Sequence, residues 1–126
     1  MGHPLSHAAG DPGGLDFGYL TTRGRVTGRP HEIEIWFALH GDHVYVLSGD
    51  GDRSDWVRNL QRDPAVTFRL GEETRATTAR IVTDPDEDGL VRRLLVEKYQ
   101  PRDPDDLTEW GRTSLPIAIE WPMPES

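Results

Sequence analysis

Three arginines fall within seven residues of the string RGRVTGRP, as Arg23, Arg25 and Arg29, with hydroxyls at Thr21, Thr22 and Thr27 and turn-forming Gly24, Gly28 and Pro30 among them. Planar guanidinium forks beside backbone N–H groups freed by a turn suit a phosphate or a carboxylate. A second anion-seeking group follows. Ser48, Gly49 and Gly51 end one expected strand, and Ser54 opens an expected helix whose first N–H groups favour an anion. That helix carries Trp56 and Asn59, a flat ring and an amide. Each half also has a plainer reading: an arginine turn can be a solvated hairpin in a chain with a single lysine, and Trp56 can be core.

Other chemistries fit these residues poorly. The spacing in GRVTGRP matches neither GxxxxGK[ST] nor GxGxxG, and a strand continues where those motifs demand a helix. DGDRSD resembles a calcium loop, yet Asp55 stands where the sharp-turn glycine belongs and Gln61 where the bidentate glutamate belongs. The absence of cysteine removes disulfides, thiolate nucleophiles and thiolate metal sites. His3 and His7 lie in a segment with no helix signal, and His31, His40 and His43 surround a hairpin, so exposed turn histidines are favoured over a metal site. No GxSxG elbow is present.

The elements that must position the arginine turn are mostly strands. DFGYLTT reads as a first strand, and HEIEIWFAL as one continuous second strand, with Ile33, Ile35, Phe37 and Leu39 pointing one way and Glu32, Glu34, Trp36 and Ala38 the other. A turn at residues 40–42 leads to HVYVLSG as its antiparallel partner. Trp56, Val57 and Leu60 define a helix that Pro64 ends. AVTFRL and TRATTARIV follow as strands, then a helix with Leu90, Val91 and Leu94 on its apolar stripe, a short helical turn through Trp110, and LPIAIEW as the closing strand. About six antiparallel strands in a chain of 126 residues favour curling into a small barrel: mainly β with two or three helices, a split β-barrel over residues 17–126 behind a flexible arm at 1–16.

The formal charge of −8 makes nucleic acid and anionic membrane poor partners. Residues 17–82 balance nine acids against nine arginines, however, so a small anion can still be held in the middle of the chain. No apolar run is long enough to span a bilayer, and the N-terminus has neither a basic nor an apolar leader region, so a soluble, cytoplasmic protein is expected.

The string YLTTRGRVTGRPHEIEIWF, followed by VYVLSGDGDRSDWVRNLQRDPAVTFRL, resembles the deazaflavin-dependent nitroreductase family, within the flavin-binding split-barrel superfamily that includes pyridoxamine-phosphate oxidases. The shared pattern is LTTxGRxxGxPR, a strand, a glycine turn and WxxNLxxNPxV. It spans residues 19–70, with a looser match through RIVTD and WGRTSLP. The resemblance implies coenzyme F420, a deazaflavin with a phosphate and an oligoglutamate tail. It also implies a binding loop at Arg25, Val26 and Thr27, an adjoining strand from His31 to Trp36, a loop beneath the ring at Leu47, Ser48, Gly49 and Asp50, and a helix turn at Asp55, Trp56 and Asn59. Three positions depart from the pattern: His31 replaces an arginine, Asp50 a lysine and Glu34 a proline. A less basic site would also suit FMN, whose phosphate is compact, and a third alternative is a non-catalytic barrel that binds another ligand, such as a fatty acid or haem, or no cofactor at all. The reaction implied is hydride transfer to a small acceptor such as a quinone, an enone or a nitro compound, with the redox chemistry carried by the coenzyme. A homodimer with its cleft across a two-fold axis is a further implication.

Overall fold

The computed structural model describes residues 12–122. Seven strands, β1 (Gly18–Arg23), β2 (Pro30–Ile35), β3 (Ala38–His40), β4 (His43–Ser48), β5 (Ala65–Leu70), β6 (Glu73–Ile81) and β7 (Leu115–Glu120), form one sheet in the order β2-β1-β5-β6-β7-β4-β3. Every neighbouring pair is antiparallel. Three α-helices, α1 (Asp55–Arg62), α2 (Pro85–Tyr99) and α3 (Thr108–Thr113), accompany it. The sheet curls into a half-barrel, with β6 as its corner: residues 73–78 pair with β5 and residues 79–81 with β7.

The segment expected as one strand over 31–39 is two. β2 and β3 lie at opposite edges of the sheet, and the chain crosses between them at Trp36 and Phe37. The cause is Tyr99 at the end of α2. Its hydroxyl accepts from Phe37 N at 3.0 Å, and Phe37 O accepts from Lys98 Nζ at 2.9 Å, so these backbone groups are satisfied by the helix rather than by a ladder. Burial pushes the Tyr99 hydroxyl up to about 12, which keeps it a neutral donor and acceptor. The alternation itself survives the break. Ile33, Ile35, Phe37 and Leu39 belong to the first core cluster, whereas Trp36 and Ala38 belong to the second.

That first cluster fills the curl with Leu20, Val44, Val46, Phe68, Ile117 and Ile119, and α1 closes it with Val57 and Leu60. The second packs α2 on the other face of β4 and β7, through Tyr45, Leu47 and Ala118 against Val91, Leu95 and Tyr99. The buried stripe of α2 is therefore Val91, Leu95 and Tyr99, with Leu90 and Leu94 at its margin, one step from the expected stripe. Asp84 caps this helix by accepting from Glu87 N at 2.9 Å. Residues 1–11 of the expected arm lie outside the described residues. The last part of that segment is attached to the fold: Leu15 packs on the first cluster, Asp16 O accepts from the Tyr99 hydroxyl at 2.8 Å, and the Asp16 carboxylate pairs with Arg102.

One ion-pair network ties α2 to the sheet. Glu87 accepts from both terminal nitrogens of Arg80 at 2.9 Å and from the Tyr45 hydroxyl at 2.8 Å. Those bonds, Arg80 foremost, hold the Glu87 carboxyl down at about 2, whereas burial and then the Glu87 contact push Tyr45 up to about 12. A carboxyl whose folded value is depressed adds stability above its unfolded value of 4.5 and loses it as pH falls towards 2. With Arg80 partly solvated, the contribution discounts to about 2 kcal/mol. Urea unfolding of Glu87→Gln should show a deficit of that size at pH 7 that closes between pH 4.5 and pH 2; a deficit independent of pH would assign the loss to packing.

Candidate functional site

β1 ends at Arg23, and the hairpin to β2 is closed by two backbone bonds, Gly24 N to Arg29 O at 2.7 Å and Gly28 N to Gly24 O at 2.8 Å. Gly28 takes φ +77°, a conformation that costs glycine little. At Gly24 a Cβ would lie 2.9 Å from His31 Nε2, so the imidazole sits against a position that only glycine leaves open. Between this turn and α1 lies a groove of about 760 Å³. Arg25, Val26, Thr27, Arg29 and His31 line its turn side, Asp55, Trp56 and Asn59 its helix side, and Glu32 and Ile33 of β2 complete it. Its size falls within the usual span for small-molecule sites.

Asn59 holds the two sides together. Its side chain is buried, and every polar atom is used within the fold. Nδ2 donates to Thr22 Oγ1 at 3.1 Å, while Oδ1 accepts from Arg25 N at 3.1 Å and from Arg25 Nη1 at 2.9 Å. The resemblance implies a coenzyme contact at this amide, which lines the groove; in the structure it also tethers the turn to α1. Arg25 also donates through Nη2 to Asp55 Oδ1 at 3.2 Å. Its side chain remains about one third exposed, at 31%, so the guanidinium edge is fixed in place beside solvent. Trp56 is half-buried against the first core cluster, and Val26 stands out at the tip of the turn.

The expected site residues divide into two sets. Arg25, Val26, Thr27, His31, Asp55, Trp56 and Asn59 come together in the groove. Trp36, Leu47, Ser48, Gly49 and Asp50 do not line it. Trp36 stacks on Tyr99 with centroids 4.3 Å apart and meets Trp110 edge-on at 5.4 Å. Leu47 is buried in the second cluster, and Gly49 faces the Trp110 indole. Asp50 is exposed, and its carbonyl accepts from Arg53 N. Ser54 occupies the N-cap of α1, but its hydroxyl bonds Ser48 Oγ at 2.9 Å instead of a helix N–H, and Ser48 Oγ also donates to Gly51 O. This pair welds the end of β4 to the start of α1. Glu32 and Ile33, within the strand from His31 to Trp36 that the resemblance implies, also line the groove: an exposed edge strand presents both its faces, and edge position is a property of the assembled sheet.

The curled seven-stranded antiparallel sheet with its helices is a split β-barrel fold. The family model of F420H(2)-dependent quinone reductases matches residues 8–122, and the chain belongs to that family, whose coenzyme is F420. Among solved structures, a conserved hypothetical protein, Rv2991, from Mycobacterium tuberculosis is 20% identical with a TM-score of 0.71, over 100% of this chain and 92% of that one. An F420-H2 dependent reductase, FDR-A, is also 20% identical, with a TM-score of 0.66 over 83% of this chain and 93% of that one. A chain described as a domain-swapped dimer is 20% identical, with a TM-score of 0.67 over 83% of this chain and 79% of that one. These likenesses concern the fold. Among the described residues no helix is long and apolar enough to cross a membrane.

The groove's own donor set fits such a coenzyme. Arg25, Arg29 and His31 offer cationic or hydrogen-bonding groups to a phosphate or carboxylate, and Trp56 offers a flat apolar surface nearby. Asp55 and Glu32 lower the positive charge of the same groove.

Proposed function

We propose that the groove between residues 24–31 and α1 holds F420, with its anionic end on Arg25, Arg29 and the backbone of the turn and its ring towards Trp56, and that the protein reduces a small apolar acceptor. The observation that carries this reading is the fixing of Arg25 by the buried Asn59. A guanidinium already bonded in place loses little freedom when an anion arrives, which is preorganisation for binding. When bound, the reduced coenzyme supplies a hydride from C5. The chain's residues bind and orient: Arg25 and the turn anchor the charged end, Trp56 covers one side of the groove, and the carboxylates of Asp55 and Glu32 limit how much negative charge it accepts. A quinone takes up the hydride and one proton to give the hydroquinone, with no protein nucleophile required. Membership in the quinone reductase family makes a quinone the first acceptor to try, ahead of an enone or a nitro compound.

The two groove carboxylates give a specific reason to test FMN as a second reading, because a compact phosphate meets them with less charge. Ser48, Gly49 and Asp50 would enter the site only if the ring extends from the groove past the start of α1. A homodimer, in which a second copy covers the open side of the groove, is compatible with a fold shared with a dimeric structure, and a cysteine-free chain suits a reducing cytosol.

The test is a calorimetric titration of the protein with F420 and, separately, FMN, followed by oxidation of F420H2 by a benzoquinone. Saturable binding of F420 with catalysed oxidation is expected. Saturable binding of FMN alone would move the assignment to a flavoprotein, and silence from both would leave a barrel without this coenzyme.

A further inference from the structure

We infer that Asp55 is an internal competitor for the anion that Arg25 binds, setting how tightly the groove holds its coenzyme; this rests on the reading of the groove as the F420 site. Arg25 has two kinds of partner, and they differ in burial. Asn59 is 3% exposed and takes both the backbone N and Nη1 of Arg25, a contact that belongs to the folded frame. Asp55 reaches Nη2 at 3.2 Å, yet its side chain is 84% exposed. Its carboxylate thus places oxygen on an outward-facing edge of the guanidinium, where a phosphate or carboxylate from solution would also bind. The same residue lines the groove beside Arg25.

An exposed ion pair of this kind is weak, and it is readily exchanged for a stronger one. A phosphate or tail carboxylate of a multiply charged ligand makes better bonds to a guanidinium than one largely solvated carboxylate, so the incoming group displaces Asp55 while Asn59 keeps the guanidinium in place. Two penalties remain after the exchange. The Arg25–Asp55 bond is lost, and the freed carboxylate stays in the groove, a few ångströms from the bound anion. Both weaken binding and neither is needed to position Arg25. Removing the charge at residue 55 should therefore tighten binding. A carboxylate that orients Arg25 for the ligand would give the opposite sign.

The variants are Asp55→Asn, which keeps the side-chain shape, and Glu97→Gln, which removes an equal charge from an exposed position on α2. Two probes are titrated into each, F420 by calorimetry and inorganic phosphate by the rise in melting temperature. Asp55→Asn is expected to bind F420 about fivefold more tightly and to reach its half-maximal phosphate shift at about a fifth of the concentration. Glu97→Gln should match the unsubstituted protein in both titrations. Unchanged or weaker binding of both probes by Asp55→Asn overturns the inference, as does an equal gain in Glu97→Gln, which would make the effect one of net charge. If neither protein binds F420 but Asp55→Asn responds to less phosphate, the role of Asp55 stands and the coenzyme assignment falls.

Discussion

Replacing Asn59 by leucine is expected to lower the unfolding free energy by about 3 kcal/mol and to abolish measurable coenzyme binding at micromolar protein. Leucine has the same branching and as many side-chain heavy atoms, is somewhat larger and presents an apolar surface to the neighbouring core, so a cavity is not the cause. The loss comes from groups left without partners. Arg25 N and Nη1 both lose their shared acceptor, and the Thr22 hydroxyl, 1% exposed, loses its donor. Each buried group without a bond costs about 1 to 3 kcal/mol. The turn would then keep its two backbone bonds and the bonds of Arg23 to Gly28 O and of Arg29 N to Thr27 Oγ1, but would lose its buried anchor on α1, and the guanidinium would be free to follow Asp55 or solvent. Asn59→Asp separates the two contributions, since it keeps an acceptor for Arg25 and can accept from the Thr22 hydroxyl. It should recover most of the stability. Urea unfolding and F420 titration of both variants check this, and a leucine variant as stable as the parent would refute the tether.

The second large effect is on binding alone. Arg25→Ala should weaken F420 affinity by about 2 kcal/mol, close to thirtyfold, because a charge-assisted bond to phosphate is lost. Its effect on stability should be under about 1 kcal/mol, as expected for a partly exposed ion pair. The backbone N of residue 25 still donates to Asn59 in this variant, so the turn keeps its anchor. Arg25→Lys should recover only part of the affinity, since an ammonium cannot present two parallel donors. Calorimetry gives the affinity and urea unfolding the stability. A thirtyfold loss accompanied by an equal loss of stability would mean that the turn had collapsed, and undiminished affinity would remove Arg25 from the site.

Much of the architecture is legible in residue patterning, because apolar alternation reports which side of a strand faces the core. Ile33 to Leu39 illustrate both the power and the limit of that rule. Their faces follow the alternation across seven residues, yet the strand breaks in the middle. The break is set by Tyr99, 62 positions away from Phe37, and no local pattern records a partner at that distance. The helix stripe on α2 shifts for a related reason. Val91, Leu95 and Tyr99 are selected by the outer face of β4 and β7, and those strands are buried on both sides, which an alternating pattern does not announce.

The anion-binding character of the 23–30 turn is legible because it depends on residue types packed into a few positions. The role of Asn59 is not. An amide on a helix reads equally as a ligand contact or as a tether, and the tether shows only in bonds spanning 34 and 37 residues. The resemblance to a family brought Trp36 and residues 47–50 into the expected site. In the structure Trp36 stacks with Tyr99 of α2 and Trp110 of α3, and Ser48 bonds Ser54 at the start of α1, so neither lines the groove.

Coenzyme binding is assigned to one location, and the four tryptophans of the chain report on it separately. Each indole N–H gives its own signal in a nitrogen–proton correlation spectrum, with Trp56 at the groove, Trp36 and Trp110 in the aromatic stack and Trp121 in the first core cluster. Adding F420 is predicted to move the Trp56 indole signal and the backbone amides of residues 24–27 and 31 in a saturable manner, and to leave Trp121 in place. Saturable shifts confined to Trp36, Trp110 and residues 48–50, with Trp56 and the arginine turn unmoved, would contradict the assignment of the groove as the coenzyme site.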